Sequence, residues 1–268
     1  MARLSMNEMT TFRWSFEEDV ANYVQAGIAA IGVWRRKLSD FGEEKGIELL
    51  ARSGLEVSNL LWAGGFTGSD GRSYRESVDD AADAIRLASQ MRAGCLVVHS
   101  GARAGHTHNH ARRLLREALR ELAPIAADYE VTLALEPMHP QSAGDWTFLT
   151  SLDDGLQLLD AVENPRAKLV LDTFHVGLEP NLLSRLDKIA SRIAVVHLGD
   201  CKEVPDGESN RCRLGEGRVP LGEIMAGLDA AGYRGHYDVE LLGEEIEAAD
   251  YRELLAHSQQ AFSRLAPV

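Results

Sequence analysis

Residues 168–175 (KLVLDTFH), 193–198 (IAVVHL) and 236–241 (HYDVEL) decide how this chain is read. Each is a short apolar run that arrives at a residue with a charged or metal-binding head: Asp172, His197 and Glu240. Continuous apolar runs of this length, as opposed to alternating ones, are what parallel strands buried on both faces require. Working outward, the same kind of run recurs at 3–10, 28–34, 56–62, 95–99 and 131–136. Helical patterns fill the gaps. Ser15-Phe16-Glu17-Glu18 is a capping box that opens an amphipathic stretch running to Gly27. Further helical patterns cover 44–53, 76–92, 111–129, 152–162, 181–191, 221–231 and 250–265.

This alternation, with no low-complexity linker or charge block, predicts an α/β fold: one (β/α)8 TIM barrel, as a single domain over residues 1–268. An open doubly wound sheet would want a Gly-rich phosphate loop after an early strand, and no G-x-G-x-x-G opens the helices that follow Thr10, Trp34 or Phe66.

Charge narrows the partners. Lys and Arg number 28 against 41 Asp and Glu, a formal net charge of −13 that repels phosphate backbones and anionic lipid. Nucleic acid and membrane surfaces are therefore not expected. Cys95, Cys201 and Cys212 are odd in number and show no C-x-x-C spacing, so neither a disulfide framework nor a thiolate zinc site is indicated, and a reducing cytoplasm fits. Residues 1–14 have no signal-like apolar core, and no stretch approaches the length of a membrane span.

The last four strand candidates end in Glu136 (LALEP), Asp172, His197 and Glu240. In a barrel those ends converge at one face. Two Glu, one Asp and one neutral imidazole make an oxygen-rich shell with one nitrogen, suited to one divalent metal ion: Mn²⁺, Mg²⁺ or Co²⁺, with Zn²⁺ also accepted. Taken alone, each residue reads as a solvated strand end, a helix cap or a core histidine. Four in succession at one topological place argue for a site, because charged groups beside apolar strands cost several kcal/mol unless paired or metal-bound.

Residues 131–242 resemble the sugar phosphate isomerase/epimerase superfamily, the xylose-isomerase-like TIM barrels that include ketose 3-epimerases, inosose dehydratases and type IV apurinic endonucleases. The resemblance is carried by LEP at Glu136, D-x-x-H at Asp172 and His175, H-x-x-D at His197 and Asp200, Arg211 ahead of Gly215-Glu216-Gly217, and AGYRGHYDVE ending at Glu240. The early SFEEDV, GIAAIGVW and SGLEVSNL stretches match more loosely. It implies that Glu136, Asp172, His197 and Glu240 hold the metal, that His175 and Arg211 contact substrate oxygens, and that Glu136 and Glu240 also move protons on the two faces of an enediolate.

Such a scheme is chemically coherent. A metal that chelates a carbonyl and the adjacent hydroxyl stabilises the enediolate and acidifies the C–H between them, and nearby carboxylates then act as base and acid. Arg211 offers a fork of donors to a substrate oxygen, or else is a surface arginine in a polar loop. The expected function is a metal-dependent isomerase or epimerase of a small sugar, sugar phosphate or polyol. A dehydratase of a cyclitol or keto-polyol is the alternative on the same site, and a non-catalytic sugar-binding barrel is a third reading. An apurinic endonuclease needs a cluster of three metals. His99 with Asp172 and His175 would match part of it, but the D-x-H expected after the His197 strand is absent. The expected partner is thus a small-molecule sugar or polyol, with homo-oligomers common in the superfamily.

The chain also departs from its relatives. Ser142 stands where ketose 3-epimerases carry a second glutamate in N-R-F-E, and Leu214 replaces the Pro before G-x-G. Residues 106–110 (HTHNH) read as a loop with solvated or substrate-facing histidines. Trp14, Trp34, Trp62 and Trp146 fall near strand ends or top-face loops, as packing residues or pocket walls.

Overall fold

The structure, a computed structural model, describes residues 2–205 and 210–267. Its strands are β1 (Arg3–Asn7), β2 (Ala30–Trp34), β3 (Glu56–Gly64), β4 (Leu96–His99), β5 (Leu133–Leu135), β6 (Ala167–Asp172), β7 (Ile193–Leu198) and β8 (His236–Val239). Each pairs in parallel with the next, and β8 returns to β1 with Arg3 opposite His236 and Met6 opposite Val239. The sheet is therefore a closed (β/α)8 barrel, and the open-sheet alternative is excluded.

Alternation along each strand divides the apolar residues between two layers. Leu60, Leu96, Leu133, Leu135, Leu169, Leu171, Val196 and Leu198 belong to the main core with helix residues such as Val20, Ile85, Leu119 and Leu158. Leu61, Cys95, Val97, Ala134, Val170 and Val195 form a separate cluster that fills the barrel. Two residues past Ala134, Val170 and Val195 come Glu136, Asp172 and His197, so the period that packs the barrel interior also delivers these heads to its upper rim. Glu240 bears the same relation to Asp238, whose Oδ2 accepts 2.8 Å hydrogen bonds from Asn7 and Asn59 inside the barrel. Gly32 is required beside it, since a Cβ there would lie 2.2 Å from that oxygen.

The helices mostly begin where their caps are. Ser15 and Glu18 form the expected capping box of helix Phe16–Gln25, and Ser73 with Glu76 forms a second one at helix Tyr74–Gln90. Some segments differ from the sequence expectation. A helix, Arg35–Phe41, starts directly at the end of β2 without a side-chain cap. Residues 181–191 are not one helix but short pieces, Leu183–Arg185, Leu186–Ile189 and Ala190–Arg192. Thr107 caps helix His108–Asp128, so His108, Asn109 and His110 form its first turn instead of a loop. A short helix, Glu244–Glu247, follows β8. All three cysteines are free and buried. Among the described residues no helix is long and apolar enough to cross a membrane.

Candidate functional site

Glu136 follows β5, Asp172 ends β6, His197 lies within β7 and Glu240 follows β8. The β6–β7 register sets Asp172 opposite His197. All four are buried, and each offers one ligand atom such that these atoms lie within 4.8 Å of one another. That separation is the span of a single coordination shell. The residues themselves fit a cation: both ring nitrogens of His197 are buried without an aligned hydrogen-bond partner, and Nδ1 sits 3.3 Å from Glu136 Oε1 and 3.2 Å from Glu240 Oε2. Three carboxylates and one imidazole suit a hard or borderline divalent ion.

The remaining charge is balanced locally. Arg211 is buried, not a surface loop residue, and reaches Asp172 Oδ2 at 2.9 Å and Glu240 Oε2 at 3.4 Å. Its Nη1 donates to the Glu240 carbonyl at 3.0 Å, and its guanidinium lies 4.6 Å over the Phe174 ring. Burial disfavours the charge on Glu136, but the imidazoles of His197 and His99 outweigh it and hold the carboxyl well below the usual range. Glu240 is likewise lowered, burial being outweighed by Arg211 and His197. Burial acts to lower His197, yet the Glu240 and Glu136 carboxylates raise it well above the ordinary value. His175 follows Asp172 in the helical turn Thr173–Val176, with Nε2 3.8 Å from Asp172 Oδ2, and burial lowers its pKa.

Sequence reasoning left one contact out. His99, at the end of β4, meets Glu136 Oε2 through Nε2 at 2.7 Å. Gly64 makes room for it at the neighbouring strand: its φ is +135°, and a Cβ there would fall 1.8 Å from the His99 carbonyl oxygen. The available signal was the apolar run Leu96-Val97-Val98, closed by His99 at the same strand end as the four candidate ligands.

Above these groups opens a cavity of about 470 Å³, lined on its apolar side by Met9, Leu61, Trp62, Met138 and Trp146. His99, His175, Arg211, Glu136, Glu240 and Ser142 line it as well. Trp146 stands edge-on to Trp62 at 4.8 Å, and Trp34 stacks behind Trp62 at 6.2 Å. Trp14 instead packs on Tyr251. The histidines of 106–110 stay outside this lining: His106 contacts the Thr67 carbonyl at 3.1 Å and stacks on His110.

Residues 20–261 match the family of xylose isomerase-like TIM barrels. The chain is 33% identical over 178 residues to fructoselysine 3-epimerase of Shigella flexneri, an alignment covering 65% of this chain and 61% of that protein. It is 32% identical over 130 residues to L-ribulose 3-epimerase of Methylomonas sp. strain DH-1, covering 48% of this chain and 42% of that one. It therefore spans less than two thirds of the length of these relatives. Protein SMc04130 from Sinorhizobium meliloti 1021 superimposes with a TM-score of 0.91 at 26% identity, over 99% of this chain and 98% of that chain.

Proposed function

The chain belongs to the xylose isomerase-like TIM barrel family, and on that premise we propose that it is a divalent-metal-dependent isomerase or epimerase of a small sugar, sugar phosphate or polyol, moving a proton through an enediolate. The observation that carries the proposal is the buried Glu136, Asp172, His197 and Glu240 cluster at the floor of a cavity walled on one side by Trp62, Trp146 and Met138 and lined elsewhere by polar side chains. Similarity to 3-epimerases of fructoselysine and L-ribulose supports a ketose as substrate.

A divalent cation in this cluster would supply Lewis acidity toward a carbonyl and the hydroxyl beside it. Asp172 and His197 would serve as ligands only. Glu136 and Glu240 would both hold the cation and pass the proton, Glu240 kept ionised beside Arg211 and Glu136 beside His99 and His197. The apolar wall of Trp62, Trp146 and Met138 would exclude bulk water from the reacting carbons. His175 and Arg211 would orient substrate oxygens.

Purification followed by metal analysis tests the cluster: Asp172→Ala and His197→Ala should each lose the ion, and full retention in both would remove the assignment. With L-ribulose and D-fructose as probes, turnover in deuterium oxide should place deuterium on the reacting carbon. Glu136→Gln and Glu240→Gln should each slow it by about 10²–10⁴-fold, with metal content measured alongside. Near wild-type rates in both metal-loaded variants would exclude the proton mechanism, and an unsaturated product would assign the site to a lyase.

A further inference from the structure

Charge around the cavity runs strongly to one sign. Glu136, Asp172 and Glu240 lie at its floor, and at its mouth the helix Glu244–Glu247 contributes exposed Glu244 and Glu247 to the lining. Among the described residues of that lining, Arg211 alone is a Lys or Arg, and its guanidinium is already engaged by Asp172 and Glu240. A divalent cation in the cluster would still leave carboxylate in excess. The adjoining hollow, about 480 Å³, shares Trp62, His99 and Trp146 and does contain two arginines. Both are neutralised there: Arg35 pairs with Asp80 at 2.9 Å, and Arg72 with Asp80 at 3.1 Å and Asp70 at 2.6 Å. Lys202, near the same short helix, is paired with Glu245.

The inner end of the cavity calls for a ligand of a different kind. Arg211 Nε and His175 Nδ1 have no hydrogen-bond partner, in residues only 4% and 7% exposed that both line the cavity. Such unmet polar atoms suit hydroxyl oxygens. Trp62 and Trp146 add aromatic surface to the same lining, and an uncovered ring face attracts a cation rather than an anion.

We propose that this site selects unphosphorylated substrates whose end remote from the reacting carbons is neutral or, better, cationic, and that Glu244 and Glu247 enforce the choice. The proposal rests on the ketose reading given above. A phosphate dianion at the mouth meets two carboxylates, while the one guanidinium among the described residues of the lining is already paired with Asp172 and Glu240, and rejection by like charge is an effective form of specificity. A quaternary ammonium at the same place meets both carboxylates and the indole rings.

Three ketoses on one skeleton separate the charges: D-fructose, D-fructose 6-phosphate and 6-deoxy-6-trimethylammonio-D-fructose. Each is titrated into the Mn²⁺-loaded full chain, followed by tryptophan fluorescence, and each is then assayed for deuterium uptake from D₂O. The expected affinity order is ammonium, neutral, phosphate, at about tenfold per step in low salt, the size of one screened charge contact near a surface. In Glu244→Gln/Glu247→Gln the steps should shrink to threefold or less. Phosphate binding as tightly as D-fructose, or an unchanged order and spacing in the double variant, would overturn the proposal. Binding in the expected order without deuterium uptake would uphold charge selection while removing the epimerase reading, and failure of all three to bind at millimolar concentration would overturn both.

Discussion

His99 fixes one oxygen of Glu136 through a 2.7 Å contact, leaving Oε1 on the side of His197. A neighbour of this kind aims a ligand and limits its rotation. Removing one typically lowers metal affinity about 10–100-fold. His99→Ala should therefore weaken Mn²⁺ binding by that factor in a calorimetric titration, and an unchanged affinity would show that the contact does not orient Glu136. Arg211 plays the opposite electrostatic part, since it supplies positive charge to Asp172 and Glu240 from the protein itself. Truncating one partner of a buried ion pair leaves the other charge uncompensated, at about 3–5 kcal/mol. In metal-free Arg211→Met the unpaired carboxylates should cost about that much, and Mn²⁺ should recover part of it. The measured outcome is a thermal shift on adding Mn²⁺ that is larger in the variant than in the wild-type chain; equal shifts would mean that Arg211 and the cation do not compensate the same groups.

Between elements, one buried ion pair ties the first two helices to the barrel rim. Lys37, in helix Arg35–Phe41, donates to Asp19 of helix Phe16–Gln25 at 2.6 Å and to the carbonyls of Glu8 and Thr11 just past β1. Burial pushes the Asp19 carboxyl up to about 6 from 3.8 despite the opposing charge of Lys37. Burial also raises Glu8 and Tyr23 beside it, with the charge on Asp19 adding to both. A folded-state pKa above the unfolded one means that the folded chain holds the proton more tightly, so this contribution to stability is full below about 3.8 and is lost as pH rises through about 6. Lys37→Met should extend that loss: about 3–5 kcal/mol at pH 8, and clearly less at pH 5, where Asp19 takes up a proton. Urea unfolding at the two pH values checks it, and a pH-independent cost would contradict a charged Asp19. None of this was legible in the sequence, where Arg35-Arg36-Lys37 follows a strand with no capping residue to announce a helix. The strands were readable because a doubly buried strand leaves a continuous apolar run, whereas the pieces between Leu183 and Arg192 follow an apolar spacing that does not separate one helix from several turns. His99 could be seen as a strand end, but its meeting with Glu136 depends on the β4–β5 register, Val98 opposite Leu135, which no local pattern encodes.

At the scale of the molecule, closure of β8 onto β1 joins residues 3–6 to residues 236–239. The four candidate ligands come from strands spread over the second half of the chain, so their convergence depends on the whole barrel being formed. Their positions at strand ends were readable from the sequence; their mutual distance is a property of closure. The expectation of one domain over residues 1–268 can be tested through a thiol in the other half. Cys95 immediately precedes β4 and packs in the barrel-filling cluster with Val97, Ala134, Val170 and Val195. It is fully buried, and burial pushes its thiol above the ordinary value, so both access and reactivity require opening. If the barrel unfolds as one unit, Cys95 should become reactive toward a thiol reagent at the same urea concentration at which far-UV circular dichroism and tryptophan fluorescence report loss of structure. Substituting Cys201 and Cys212 by Ser confines the readout to Cys95, and the stability of that variant is measured by the same dichroism. Labelling of Cys95 at urea concentrations where the dichroism is still native would mean that the barrel opens at β4 independently of the rest, and the chain would then not behave as one domain.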